Sequence, residues 1–241
     1  MKVAVCSRDR VSGTSSNFKV DLSGAAQRIL NTTRCRILKV LMKYVIYNIR
    51  TGVNDKICFT RSSTNYTATL PAAGYNIQDF CTAIATAMNA QDSNTYAATY
   101  GTSTGLITIT GSASFSMNMG LSSTSCYREM GFGTGITGAA TTQTGTGVYD
   151  LSGPDTIYMD IAQFPQRQVS SNPVDYYTAA IPVDVNFGEV IDFSPCEYGM
   201  DYSWVFEEGK KITQLDISLF LQNREPANLN VVDWTMYLEF Y

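Results

Sequence analysis

Apolar and polar residues alternate along much of this chain, which places successive side chains on opposite faces of an extended strand. In Val231-Val232-Asp233-Trp234-Thr235-Met236-Tyr237-Leu238-Glu239-Phe240 the even positions from 232 to 240 are all apolar, and the odd ones include Asp233, Thr235 and Glu239. Trp234, Met236 and Leu238 are therefore expected in a core. The same period recurs in Phe18 to Leu22, Ile157 to Ile161, Ile181 to Phe187 and Thr213 to Leu221. Pro182 lacks a backbone donor, so its strand is expected at an edge or starting there. One wet face per strand points to antiparallel sheets. From Arg34 to Ile49 the run is longer, with Leu38, Val40, Met42, Tyr44 and Ile46 on one face and Lys39 and Lys43 on the other. β-branched and aromatic residues in its second half favour one long strand, bent near Lys39, with a helix over Ile37 to Lys43 as the alternative.

A different period governs Asn76 to Asn89, where Ile77, Phe80, Cys81, Ile84 and Met88 fall on one helical face and Asn76 is placed to cap the first turn. Its apolar stripe is read as packing against a sheet. Tyr96 to Tyr100 and Leu106 to Thr110 flank Gly101-Thr102-Ser103-Thr104-Gly105 and predict a hairpin, with a further short strand at Phe115 to Met119. Residues 123–147, above all Gly131 to Gly147, are rich in Gly, Thr and Ala and predict a loop. The order strands, helix with hairpins, strands predicts an all-β antiparallel sandwich as one domain over residues 1–241, interrupted by an insertion over 51–147 that holds helix 76–89.

Composition changes this picture mainly by what it removes. The 241 residues are 44% hydrophobic, enough for a substantial core. The apolar run near Met1 is too short for a signal peptide and no stretch reaches membrane-spanning length, so a soluble protein made inside the cell is expected. Histidine is absent, which excludes Ser-His-Asp and Cys-His chemistry. Paired carboxylates for glycoside hydrolysis have no distinctive spacing. The six cysteines, at 6, 35, 58, 81, 126 and 196, form no C-x-x-C pair and are expected as buried reduced thiols; no metal and no cofactor is expected. Gly133, Gly135 and Gly138 match G-x-G-x-x-G only by chance, since no α/β context surrounds them.

Charge is polarised. Residues 1–61 hold 12 Lys/Arg against 3 Asp/Glu, a balance of +9, and the remainder holds 5 against 18, a balance of −13. Such a split suggests a basic contact face, or attraction between the two halves within or across subunits. Interleaved strands that mix the charges evenly are the alternative.

Several segments, taken in order, carry a resemblance. They are Ser7-Arg8-Asp9-Arg10 before Ser16 to Leu22, the long Arg36 to Ile49 run, Leu70-Pro71-Ala72-Ala73-Gly74-Tyr75-Asn76-Ile77 leading into the helix, and Thr104 to Ile109. Met130-Gly131-Phe132, Leu151-Ser152-Gly153-Pro154 and Asp233 to Phe240 complete the set. In this order they resemble the single jelly-roll penton and minor capsid proteins of large DNA viruses, virophages and polinton-like viruses. The resemblance implies an eight-stranded jelly roll in a virion, with no enzymatic activity. Its partners would be itself, as a pentamer at fivefold vertices or alternatively a trimer, the major capsid protein, and membrane-side or cement proteins. A single sandwich without a second copy favours the vertex.

Under that reading Arg8, Arg10, Arg34 and Arg36 are the candidate interface cations, because guanidinium pairs bidentately with carboxylates. Their candidate partners are Asp184, Glu189, Asp192, Glu197, Glu207 and Glu208 of an adjacent subunit; solvated surface charges are the plain alternative. A genome-facing use of Arg8, Arg10 and Arg28 lacks interleaved aromatics, and no specific nucleic-acid recognition is expected. Trp204, after Asp201-Tyr202-Ser203, is a candidate sugar-stacking platform for a glycan-binding appendage, with an aromatic satisfied within its own loop as the favoured alternative.

Overall fold

Met236, Leu238 and Phe240 turn inward from a C-terminal strand and are 2% exposed or less, while Tyr237 between them turns outward. The computed structural model describes residues 1–26, 32–164, 168–169, 176–199 and 202–241. They divide into two compact units, Met1–Ile46 with Pro154–Tyr241, and Tyr47–Gly153.

In chain order the elements are β1 (Lys2–Cys6), β2 (Arg10–Gly13), β3 (Asn17–Asp21), the single turn α1 (Ser23–Ala26), β4 (Thr32–Lys43), β5 (Lys56–Arg61), β6 (Thr64–Thr69) and α2 (Ile77–Asn89). There follow β7 (Tyr96–Tyr100), β8 (Ile107–Met117), β9 (Ala140–Thr144), β10 (Thr156–Ile161), β11 (Gln168–Val169), β12 (Tyr176–Tyr177), β13 (Ala179–Pro182), β14 (Val190–Phe193), β15 (Ser203–Lys210), β16 (Gln214–Phe220) and β17 (Thr235–Phe240). Every ladder between these strands is antiparallel.

The first unit is a jelly-roll β-sandwich. One sheet runs β1-β17-β4-β14, with β15 sharing the β14 side of β4, and the other runs β13-β10-β16-β3-β2. Their inward residues form one core that includes Phe18, Val40, Met42, Ile157, Met159, Leu215, Ile217 and Trp234. Straight alternation along β4 would bury Leu38 with Val40 and Met42. Instead Tyr237 faces Lys39 and Leu238 faces Ile37, so Leu38 is the extra residue of a β-bulge and Ile37 takes the inner place at 2% exposure. The bulge keeps Cys35 and Ile37 below it, and Val40 and Met42 above it, on the same buried face. Ile37 to Lys43 is therefore strand throughout.

One further expectation and one alternative reading fail in this unit. The strand expected over Ile181 to Phe187 ends at Pro182, the last residue of the edge strand β13; Val183 and Val185 still pack half-buried on the core. Trp204 lies in β15 at 4% exposure, with its ring 4.6 Å from that of Phe164, so its face is covered by protein and no sugar stacks on it.

The second unit has a sheet β6-β5-β8-β7 with β9 added on β8. Helix α2 buries Phe80, Cys81, Ile84 and Met88, and Asn76 caps it by accepting from the Asp79 backbone N–H at 2.9 Å. Asn89 clamps its far end to β7 through two hydrogen bonds with the Tyr96 backbone. Phe115 to Met117 is not a separate strand but the end of β8, whose ladder shifts register between Thr110 and Phe115. Within the expected loop, Ala140–Thr144 forms β9, and Gln143, 5% exposed, donates to the carbonyls of Phe115 and Gly138. At Gly131, φ is +69° and an added Cβ would meet the Gly147 carbonyl oxygen at 2.0 Å, so this close crossing requires glycine.

Candidate assembly interface

The sandwich ends laterally in two sets of edge strands, with β15 beside β14 on the second. β1 and β2 lie on one side, joined through the short turn Ser7–Asp9; β13 and β14 lie on the other, joined by residues 183–189. The Tyr202 hydroxyl, at 3.1 Å from the Ala180 amide and 3.3 Å from its carbonyl, ties the chain entering β15 to β13.

The first edge is organised by Asp233. Its Oδ1 accepts from Ser7 Oγ at 2.8 Å and from Arg10 Nη1 at 2.8 Å, and Arg8 Nε lies 3.6 Å from Oδ2. Ser7 Oγ also accepts from the Trp234 amide, and Arg10 donates to the Ser7 carbonyl. The Ser7 hydrogen bond, followed by Arg10 and Arg8, holds the Asp233 carboxyl below the usual carboxylate range. Arg10 is largely enclosed, with 27% of its side chain exposed, whereas Arg8 is 80% exposed.

Arg34 and Arg36 stand elsewhere, on the outer face of β4. Arg36 donates through Nε and Nη2 to Oε2 of Glu239, its cross-strand neighbour on β17, at 2.9 and 2.7 Å. The Tyr241 hydroxyl donates to the same oxygen at 2.6 Å; together Tyr241 and Arg36 lower the Glu239 carboxyl. Arg34 is exposed opposite Val205, and among the described residues it forms no ion pair.

The carboxylates gather at the second edge. Asp184, Glu189, Asp192 and Glu197 are all exposed, and Tyr176–Gly199 contains no Lys or Arg. Asp184 accepts from the Tyr198 hydroxyl at 2.7 Å, Glu189 accepts from Asn186, and Asp192 pairs with Lys39 at 2.8 Å. Glu207 and Glu208 belong to β15, but their side chains, like the whole of Arg28, lie outside the described residues.

Within one chain, then, the expected partners stay apart: Arg8 and Arg10 on one edge, Arg34 and Arg36 in the middle of a sheet, the four described carboxylates on the opposite edge. Sequence reasoning missed Asp233 and Glu239, the acids that hold Arg10 and Arg36. Both are polar members of the alternating C-terminal strand region, and only the pairing of β17 with β1 and β4 brings them to the arginines.

A groove of about 420 Å³ beside α2 is lined by Thr69, Pro71, Ala83, Ala87 and their neighbours, with Asp79 as its one ionisable group. Cys35, Cys58, Cys81 and Cys126 are buried and desolvation pushes their thiols up; Cys6 is half-buried and Cys196 exposed, contrary to the expectation that all six are buried.

No family model and no curated protein matches this chain. Its fold resembles that of the mavirus penton protein. The two superpose with a TM-score of 0.56 over 100% of this chain and 99% of the mavirus penton protein, at 9% sequence identity. The likeness to the mavirus penton protein therefore takes in both the sandwich and the Tyr47–Gly153 unit, and it is a likeness of fold.

Proposed function

We propose that this chain is a structural subunit of an icosahedral viral capsid, the penton protein of its fivefold vertices, acting in the virion by contact rather than by turnover. The observation that carries the reading is the end-to-end match of the fold to the mavirus penton protein. In this reading the sandwich is the shell-forming jelly roll and Tyr47–Gly153 is a domain inserted in it, with boundaries a few residues outside the 51–147 expected from sequence. The subunit assembles with copies of itself and with a major capsid protein, through exposed charges such as Arg8, Asp184, Glu189 and Glu197.

Native mass spectrometry of the purified full chain at micromolar concentration tests this. A species of five copies is expected. A trimer would move the protein to a minor, non-vertex position, and a monomer that also fails to enter particles would overturn the capsid role.

A further inference from the structure

Among the described residues the outer edges of β1, β2, β13 and β14 pair with no other strand, and open edges are normally blunted or covered. The two sides differ in sign. The β1–β2 side presents Lys2, Arg8 and Arg10 with Asp9; Asp233 pairs with both arginines and Glu239 faces Lys2 across the ladder, yet Arg8 remains 80% exposed. The β13–β14 side presents Asp184, Glu189, Asp192 and Glu197; among the described residues the cation that pairs with them is Lys39, reaching from β4, whose Lys43 lies opposite Val190.

Apolar surface accompanies the charge on both sides. Val11 is 63% exposed on β2; Phe187, Val190 and Tyr198 are 47%, 56% and 41% exposed on the acidic side. Aromatic and apolar groups set among charges are the composition of a protein interface.

A twofold contact between like edges would set carboxylates against carboxylates or cations against cations, which is repulsive. A contact between unlike edges has no such conflict, and being heterologous it generates a ring when the rotation closes. We infer that the acidic β13–β14 edge of one copy docks on the cationic β1–β2 edge of the next, head to tail around the assembly. This rests on the proposed capsid role and deepens it. Arg34 and Arg36, away from both edges, take no part in this contact.

The test uses charge reversal in the full chain, followed by analytical ultracentrifugation. Arg8→Glu leaves a subunit with two acidic edges, and Glu189→Lys with Glu197→Lys leaves one with two cationic edges. Each alone should associate at least about tenfold more weakly than the unaltered chain. Combining all three reversals in one chain should restore association, because its two edges are then again opposite in sign and every contact around the ring is complementary. Lys2→Glu serves as a second variant of the cationic edge should Arg8→Glu perturb Asp233, and tryptophan fluorescence confirms that each variant is folded.

Reversals that leave the association of an assembling chain unchanged would overturn the edge contact and leave the capsid role standing. Weakened variants whose reversals fail to restore association when combined in one chain would overturn it too. An unaltered chain that stays monomeric and fails to enter particles would remove the capsid role itself, and this contact with it.

Discussion

The sandwich, Met1–Ile46 with Pro154–Tyr241, carries 13 Lys/Arg and 16 Asp/Glu, whereas Tyr47–Gly153 carries 4 and 5. Where the second unit has charge, much of it is turned inward. The side chains of Asp55 and Asp92 are 2% and 4% exposed, Asp92 pairs with Arg61 at 3.3 Å, and Glu129 accepts from Asn54 at 2.6 Å. Its exposed strand positions are mostly neutral, such as Thr67, Thr69, Ala97, Thr99, Thr110, Thr141 and Thr144. The sandwich shows the opposite habit, with exposed acids along one edge and an exposed arginine at the other. Exposed charge of either sign is thus concentrated on the sandwich, while the exposed strand positions of the second unit are polar and mostly neutral.

The largest expected effect separates the two units. Both tryptophans, Trp204 and Trp234, are buried in the sandwich, so their fluorescence reports on that unit. Phe80→Ala removes a fully buried ring from the α2 packing and should destabilise the second unit by about 3–5 kcal/mol. Its far-UV helical signal should then melt below the tryptophan transition; one coincident transition would show that the units unfold together.

Next in size is Asp233→Asn, which takes the charge from the contacts to Ser7 and Arg10 and should cost about 1–3 kcal/mol, read from the tryptophan transition. The same group predicts the response to acid. Asp233 and Glu239 both titrate below their ordinary values in the folded chain, so their contribution is fully present above about pH 4–5 and is lost as pH falls through their folded values. The tryptophan transition should therefore drop in acid, and Asp233→Asn should flatten that drop; an unchanged pH profile in the variant would contradict the assignment. The smallest effect is Asn76→Ala, which removes the α2 cap at a cost of about 1 kcal/mol, seen in the helical signal and not in the tryptophan transition.

The strands and the helix were legible because each has one buried face, and burial writes a period of 2 or 3.6 into the sequence. That is why Trp234 to Phe240 and Ile77 to Met88 fall where alternation and helical spacing place them. Leu38 misled because a bulge shifts parity by one residue, and no local residue announces it. The β5–β6 hairpin was not read at all. Its two-residue turn is Ser62-Ser63, at φ +48° and +63°, in place of the usual Asn-Gly signal. β9 was hidden in a Gly- and Thr-rich stretch with a single inward side chain, Gln143. For the candidate interface, the sequence carried the signs of the charges but not their positions. That the cations of residues 1–13 and the acids of 184–197 occupy opposite edges follows only from the strand order of the two sheets.

Electron cryomicroscopy of the purified assembly tests the central claim most directly. A closed ring of five subunits is predicted, with Asp184, Glu189 and Glu197 of each subunit facing Lys2 and Arg8 of the next. A twofold dimer joined through like edges, or particles containing only single subunits, would contradict it.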